Sequence, residues 1–193
     1  MLSLRNRKGR SLGRWRWKAA LLAGLLTSLP LRLNSRVQIG RGFMGNGRLR
    51  IRGPGRVLLA EHVNAWSHAE INRLITLGPT ATITIGPNAR LNGCTLVAAE
   101  RIEVGANTVL GSCLVYDRES YTLEPADRRR PGQVKPVIIE ENVWIGGQVT
   151  LLPGVRIGRN SVVGIHSVVM SDIPADVVAV GNPARVVRRL DDR

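Results

Sequence analysis

Counting in sixes from Ile139 meets an aliphatic side chain at every step: Ile139, Ile145, Leu151, Ile157, Val163 and Val169. The residues that follow them are Glu140, Gly146, Leu152, Gly158, Gly164 and Met170, half of them glycine. Four places on from each aliphatic stand Val143, Val149, Val155, Ser161, Ser167 and Ile173, all small or β-branched. The pattern returns upstream as Ile85-Gly86, Leu91 and Val97, and then, after one inserted residue, as Val104-Gly105 and Leu110. Neither a helix, with 3.6 residues per turn, nor a strand, with a period of two, generates a six-residue repeat. A coil of three short strands does, if each strand ends in a tight turn and each coil takes roughly 18 residues. The repeated aliphatic points inward, and the glycine lets the corner turn without steric cost. Coils of this kind stack at strand spacing and pair their backbone groups with the coils above and below. Residues 139–174 predict two unbroken coils. Residues 37–84 follow the period poorly and are expected to be irregular strands that start the stack. The expected fold is an all-β solenoid.

Pattern and charge separate the front of the chain from this body. Residues 1–60 hold 14 of the 28 Lys and Arg and no carboxylate, whereas 61–193 balance 14 basic against 14 acidic side chains. The formal charge of +14 therefore belongs to an arm, which argues against a nucleic-acid-binding body. The arm reads MLSLRNRKGRSLGRWRWK and leads into AALLAGLLTSLPL, an apolar run too short to span a bilayer. Basic and then apolar is also the order of a signal peptide, but no small-x-small cleavage site follows. The expectation is a short helix broken at Pro30. Trp15 and Trp17 among Arg14, Arg16 and Lys18 suit an anionic membrane surface, so residues 1–31 are a candidate membrane contact. The competing expectation is a solvated arm with a capping helix. The division predicted is 1–36 for arm and helix and 37–193 for the solenoid, with a loop insertion at 117–136 and a C-terminal cap at 175–193.

Cys94 and Cys113 are too few for a disulfide framework, and their spacing predicts stacked inner or corner positions on neighbouring coils. His62, His68 and His166 lack metal-ligand spacing, so no metal is expected.

The run 137–190 closely resembles the end of hexapeptide-repeat acyltransferases, including maltose/galactoside-type sugar O-acetyltransferases and those acting on surface polysaccharides. The pieces that carry the likeness are NVWIGG (142–147), LPGVRIG (152–158), SVVMSDIP (167–174) and GNPARVVR (181–188). With 83–121 the match covers about half the chain. The resemblance implies a left-handed parallel β-helix, a homotrimer, and acetyl transfer from acetyl-CoA to a sugar hydroxyl, expected in the cytoplasm or on the inner face of the membrane. It places Trp144, Gly147 and Ile165 along the CoA arm, Met170 and Ser171 where relatives often carry Thr-Lys, and Arg185 and Arg188 at the nucleotide phosphates. Asn92 and Asp117 fall at acceptor positions.

One departure concerns the general base. Relatives carry a His within a phrase like Asp-x-x-x-His, and here Asp117 is followed by Tyr121 at that place. A phenol with pKa near 10 keeps its proton at neutral pH, whereas an imidazole can release one. Tyr121 and His166, the latter in the VVGIHSVV corner beside the CoA position, are the catalytic candidates. The alternative expectation is a hexapeptide-repeat scaffold or binding protein that lacks the base.

Overall fold

All six aliphatics of the count from Ile139 to Val169 are buried, at most 1% exposed, so the sequence period is an inward-facing ladder. The structure is a computed structural model that describes residues 10–119 and 132–190. It is a left-handed β-helix with three parallel sheets and one N-terminal helix.

The first sheet stacks Val37–Ile39, Arg56–Leu59, Thr82–Ile85, Arg101–Val104, Val137–Ile139 and Arg156–Ile157. The second begins with Met44–Gly45, Asn64–Ala65, Arg90–Leu91, Val109–Leu110, Trp144–Ile145 and Val162–Val163. It ends in an antiparallel hairpin, Val177–Gly181 with Ala184–Arg189, which closes the stack. The third runs from Leu49–Arg52 to Val168–Val169. Along 137–169 the step between paired residues is 18, as in Ile138 opposite Arg156 and Trp144 opposite Val162. The two unbroken coils expected there are present.

Residues 37–84 correct the expectation of irregular strands. They form two coils and the start of a third, all in parallel register, with Val37 opposite Val57 and Val57 opposite Ile83. The six-residue count fails there because the turns are longer, above all at 66–71, where the chain leaves the second sheet before Asn72 begins the next strand. Asn72 is fully buried and fastens this turn. Its amide donates to the carbonyls of Ala65 and Leu91 (both 3.2 Å), and its Oδ1 accepts from Gly93 (2.7 Å) and Cys94 (3.1 Å).

Helix α1 (Arg10–Arg32) caps the first coil. It is longer than the short helix expected, and Pro30 lies inside it without breaking it. Two residues from the end, Pro30 removes a single amide from the last turn. The helix packs through Gly24, where a Cβ would run into the Phe43 carbonyl and come within 2.9 Å of Met44 Cα. Arg32 ties the helix end to the first coil by donating to the carbonyls of Ile39 (2.8 Å) and Gly40 (3.3 Å). None of the described helices is long and apolar enough to cross a membrane.

Cys94 and Cys113 are buried free thiols on adjacent coils, as expected, and the Cys113 carbonyl accepts from the amide of Thr95 (2.8 Å). Burial pushes the Cys113 thiol up to about 12 and raises that of Cys94 well above the ordinary value, so neither is a nucleophile at neutral pH.

Candidate functional site

The second sheet presents one outward row that links its successive coils. Asn64 is paired with Arg90, Arg90 with Val109, Val109 with Trp144, Trp144 with Val162 and Val162 with Val178. In the closing hairpin Val178 faces Arg188, and Val180 faces Arg185. Inward neighbours such as Leu91, Leu110, Ile145 and Val163 fill the core, so strict alternation leaves this row on the surface. Trp144 stands 58% exposed in the middle of it.

Beside the row, the corner from the second to the third sheet carries Gly147, with His166 donating its amide to the Gly147 carbonyl (3.0 Å). A Cβ on Gly147 would meet only Ser112 Oγ at 3.4 Å, so glycine leaves a shallow notch here. Gly146 is different: a Cβ there would come within 2.8 Å of the Ile165 amide, so its glycine serves coil packing. Ile165 is 70% exposed, and His166, also exposed, holds φ of 58°. The structure therefore brings Trp144, Gly147, Ile165 and His166 to one corner, with Arg185 and Arg188 on the strand that ends the same sheet. Met170 and Ser171 are exposed but lie past Val168–Val169, at the next corner of the coil, so they do not join that group within one chain.

At the other end of the row lies a pocket of about 280 Å³ lined by Asn64, Trp66, His68, Arg90, Asn92 and Val109, with Leu91 at its floor. Asn92 is thus accompanied by an indole, an imidazole and a guanidinium. Trp66 and His68 come from the turn that Asn72 fastens, and Asn64 Oδ1 accepts from the Trp66 amide (2.9 Å). Sequence reasoning missed Asn64, Trp66 and Arg90. The signal available was the pair W-x-H within a turn too long for the period, which only the stacking of coils brings next to Asn92.

Asp117 occupies neither cluster. It is fully buried, and its carboxylate accepts three amides, from Ala99 (2.6 Å), Glu100 (2.7 Å) and Arg101 (2.7 Å). Both oxygens are occupied and inaccessible, so the described residues assign it the anchoring of the loop root and no contact with an acceptor. Next to it Glu119 donates its amide to the Gln133 carbonyl (3.0 Å), and Lys135 donates to the Asp117 carbonyl (2.8 Å). The loop that leaves from this root includes Tyr121, which lies outside the described residues, as do residues 1–9 of the arm.

Residues 136–170 match the family model for the bacterial transferase hexapeptide of six repeats. Among curated proteins, the galactoside O-acetyltransferase of Lactococcus lactis is 46% identical over 99 residues, covering 51% of this chain and 48% of that protein. The galactoside O-acetyltransferase of Escherichia coli is 37% identical over 116 residues, covering 58% and 57%. The chain thus spans about half the length of the curated relatives it matches. Among solved structures, the polysialic acid-specific acetyltransferase NeuO superposes with a TM-score of 0.62 at 19% identity, over 80% of this chain and 82% of that one. A galactoside acetyltransferase in complex with coenzyme A superposes with a TM-score of 0.57 at 23% identity, over 97% and 86%. At such identities these two likenesses bear on the fold. Residues 136–170 are accordingly a transferase hexapeptide segment within a left-handed β-helix, and the likeness of this chain to the hexapeptide-repeat acyltransferases stands.

Proposed function

We propose that this protein is an O-acyltransferase that moves an acetyl group from acetyl-CoA to a sugar hydroxyl, as in a cell-surface polysaccharide or its precursor. The observation that carries the reading is the single surface row from Asn64 to Arg188, which sets a sugar-sized pocket and the expected CoA-binding residues on one face. The names of the matched relatives, galactoside O-acetyltransferases, support the same substrate class.

The roles follow from chemistry. Trp144 and the notch at Gly147 suit the thin pantetheine arm, and Arg185 and Arg188 suit the nucleotide phosphates. Trp66 offers an apolar face to a sugar ring, while Asn92, Asn64 and Arg90 offer hydrogen bonds to its hydroxyls. In the transfer the acceptor oxygen attacks the thioester carbon, the C–O bond forms, the C–S bond breaks and the hydroxyl proton ends on the CoA sulfur. A base that carries this proton comes from His166, His68 or Tyr121. Assembly as a homotrimer and a place in the cytoplasm, where CoA thioesters are available, belong to this reading.

A second reading is a scaffold that binds without turnover, favoured by Tyr121 at the place of the usual His. Release of CoA thiol from acetyl-CoA, measured across a panel of sugars, separates the two. Sugar-dependent release supports the transferase. Micromolar acetyl-CoA binding without release by any sugar supports the scaffold. No binding overturns both assignments of the CoA residues.

A further inference from the structure

Helix α1 has two faces of opposite character. One, with Gly24, Ser28 and Leu31, lies on the first coil. The other carries Leu22, Leu25, Leu26 and Leu29, continued just past the helix by Leu33, at spacings of three, four and seven. These five leucines are between 49% and 88% exposed. At 100° per residue they fall within a stripe about 100° wide, the width of a face that normally packs on something. No neighbour within the described residues covers them.

The charge around this stripe says what would. The helix contains Arg10, Arg14, Arg16, Lys18 and Arg32 and no acidic residue, and no carboxylate precedes Glu61 in the chain. Arg32 is engaged with the first coil, and a second copy of the same helix in parallel would bring the remaining four cations against four. An anionic lipid surface neutralises them while its acyl region accepts the leucines. Trp15 and Trp17, in the turns before the stripe, are residues suited to the headgroup boundary.

We infer that the outward leucine face of α1 docks in the plane of an anionic lipid bilayer, with the solenoid held at the membrane surface by the Gly24 face. The docking is independent of the transferase reading. It requires only the helix, its packing on the first coil and its charge.

The test is co-sedimentation of the full-length protein with vesicles of phosphatidylcholine alone or mixed with phosphatidylglycerol. The comparison is with the triple variant Leu22→Gln, Leu26→Gln, Leu29→Gln. These side chains face away from the coil, so the variant should keep the wild-type circular dichroism spectrum and thermal midpoint. The wild type is expected to pellet with the mixed vesicles and to remain in solution with phosphatidylcholine. The variant should lose roughly tenfold or more of its partitioning, because both apolar burial and charge contribute to such binding. Equal partitioning of variant and wild type overturns the inference, since charge alone would then account for binding. So does a wild type indifferent to phosphatidylglycerol. A variant that changes its mass in light scattering while pelleting as before assigns the face to a second copy and likewise overturns it. Should the triple variant fail to fold, Leu26→Gln alone, read by the same partition, decides.

Discussion

Trp144 and Arg188 stand in one row of the second sheet, joined through Val162 and Val178. Three strand spacings of about 4.8 Å separate their backbone positions, roughly 14 Å along the stack. That reach suits a ligand with an apolar arm at one end and phosphates at the other. Replacing Trp144 by Ala should weaken acetyl-CoA binding by about tenfold while sparing stability, because the indole is more than half exposed. Arg188→Ala should weaken binding to a similar extent, and its loss should shrink as salt is raised, as screening of a charge–phosphate contact requires. Calorimetric titration at two ionic strengths measures both. Unchanged affinity in both variants removes the row from the cofactor site.

Asp117 should behave as a structural carboxylate. Asp117→Ala leaves the amides of Ala99, Glu100 and Arg101, all in part-buried hydrogen bonds, without their acceptor. The cost is expected to be on the order of 1–3 kcal/mol in total, because water can reach some of the released amides while the carboxylate itself is fully buried. Asn is a poor substitute, because its amide group would turn a donor toward donors. Urea unfolding of D117A and D117N gives the stability. Acetyl-CoA affinity of the folded fraction should stay within twofold, as Asp117 lies in neither cluster.

Why the sequence yielded the fold and only part of the site can be stated from these residues. Ile139 to Val169 betray the solenoid because every inward position must be aliphatic to fill a narrow triangular core, and nothing interrupts the spacing there. Residues 37–84 obey the same physics, but extra residues in the turns shift the count, and pattern alone reads such shifts as irregularity. Trp144, Gly147 and Ile165 are singled out by the family resemblance alone, and the repeat accounts only for their meeting at one corner. The pocket at Asn92 was not legible, because Trp66 and His68 reach it from one coil away, and that neighbour is fixed by the stacking register rather than by local spacing. The burial of Asp117 was hidden for the same reason: its amide partners lie on the preceding coil.

Stability should depend on pH at both ends of the range. The Glu140 carboxyl is held below its ordinary value, first by the Arg159 amide, which donates to it at 2.7 Å, and further by the Arg156 guanidinium. A lowered folded pKa means that this contribution is present above the usual carboxylate range and is lost as pH falls through the folded value. Glu140→Gln should therefore flatten the acid limb of the stability curve, modestly because the pair is partly solvated. The cysteines act at the other end. Burial raises both thiols, Cys113 to about 12 from the ordinary 9.0. The unfolded chain then releases protons that the folded chain keeps, so stability holds below about pH 9 and declines above it. The double variant Cys94→Ala, Cys113→Ala should show a flatter decline between pH 9 and 11, though a lower plateau from lost packing. Urea midpoints across pH measure both limbs, and the native thiols should resist Ellman's reagent at pH 8.

The pocket at Asn92 makes the sharpest demand, because it ties a fold irregularity to substrate choice. The long turn 66–71 is held from below by Asn72, by Asn46 and Arg48 of the preceding coil and by the buried Ser67, while Trp66 and His68 project from it exposed. If the turn serves an acceptor sugar, Trp66→Ala should raise the acceptor KM by about fivefold and leave the acetyl-CoA KM within twofold, since stacking of a ring on an indole contributes on the order of 1 kcal/mol. His68 and His166 are distinguished by the form of the loss. The residue that carries the acceptor proton should lower kcat by about 100-fold or more on replacement by Gln and remove the acidic limb of the kcat/KM profile. A histidine that only binds should change KM and keep the limb. If both Gln variants retain the limb while Tyr121→Phe abolishes turnover, the proton passes through the phenol. Arg118, three residues before it, and the Arg128-Arg129-Arg130 run of the same loop are then the cations in sequence that would favour the phenolate.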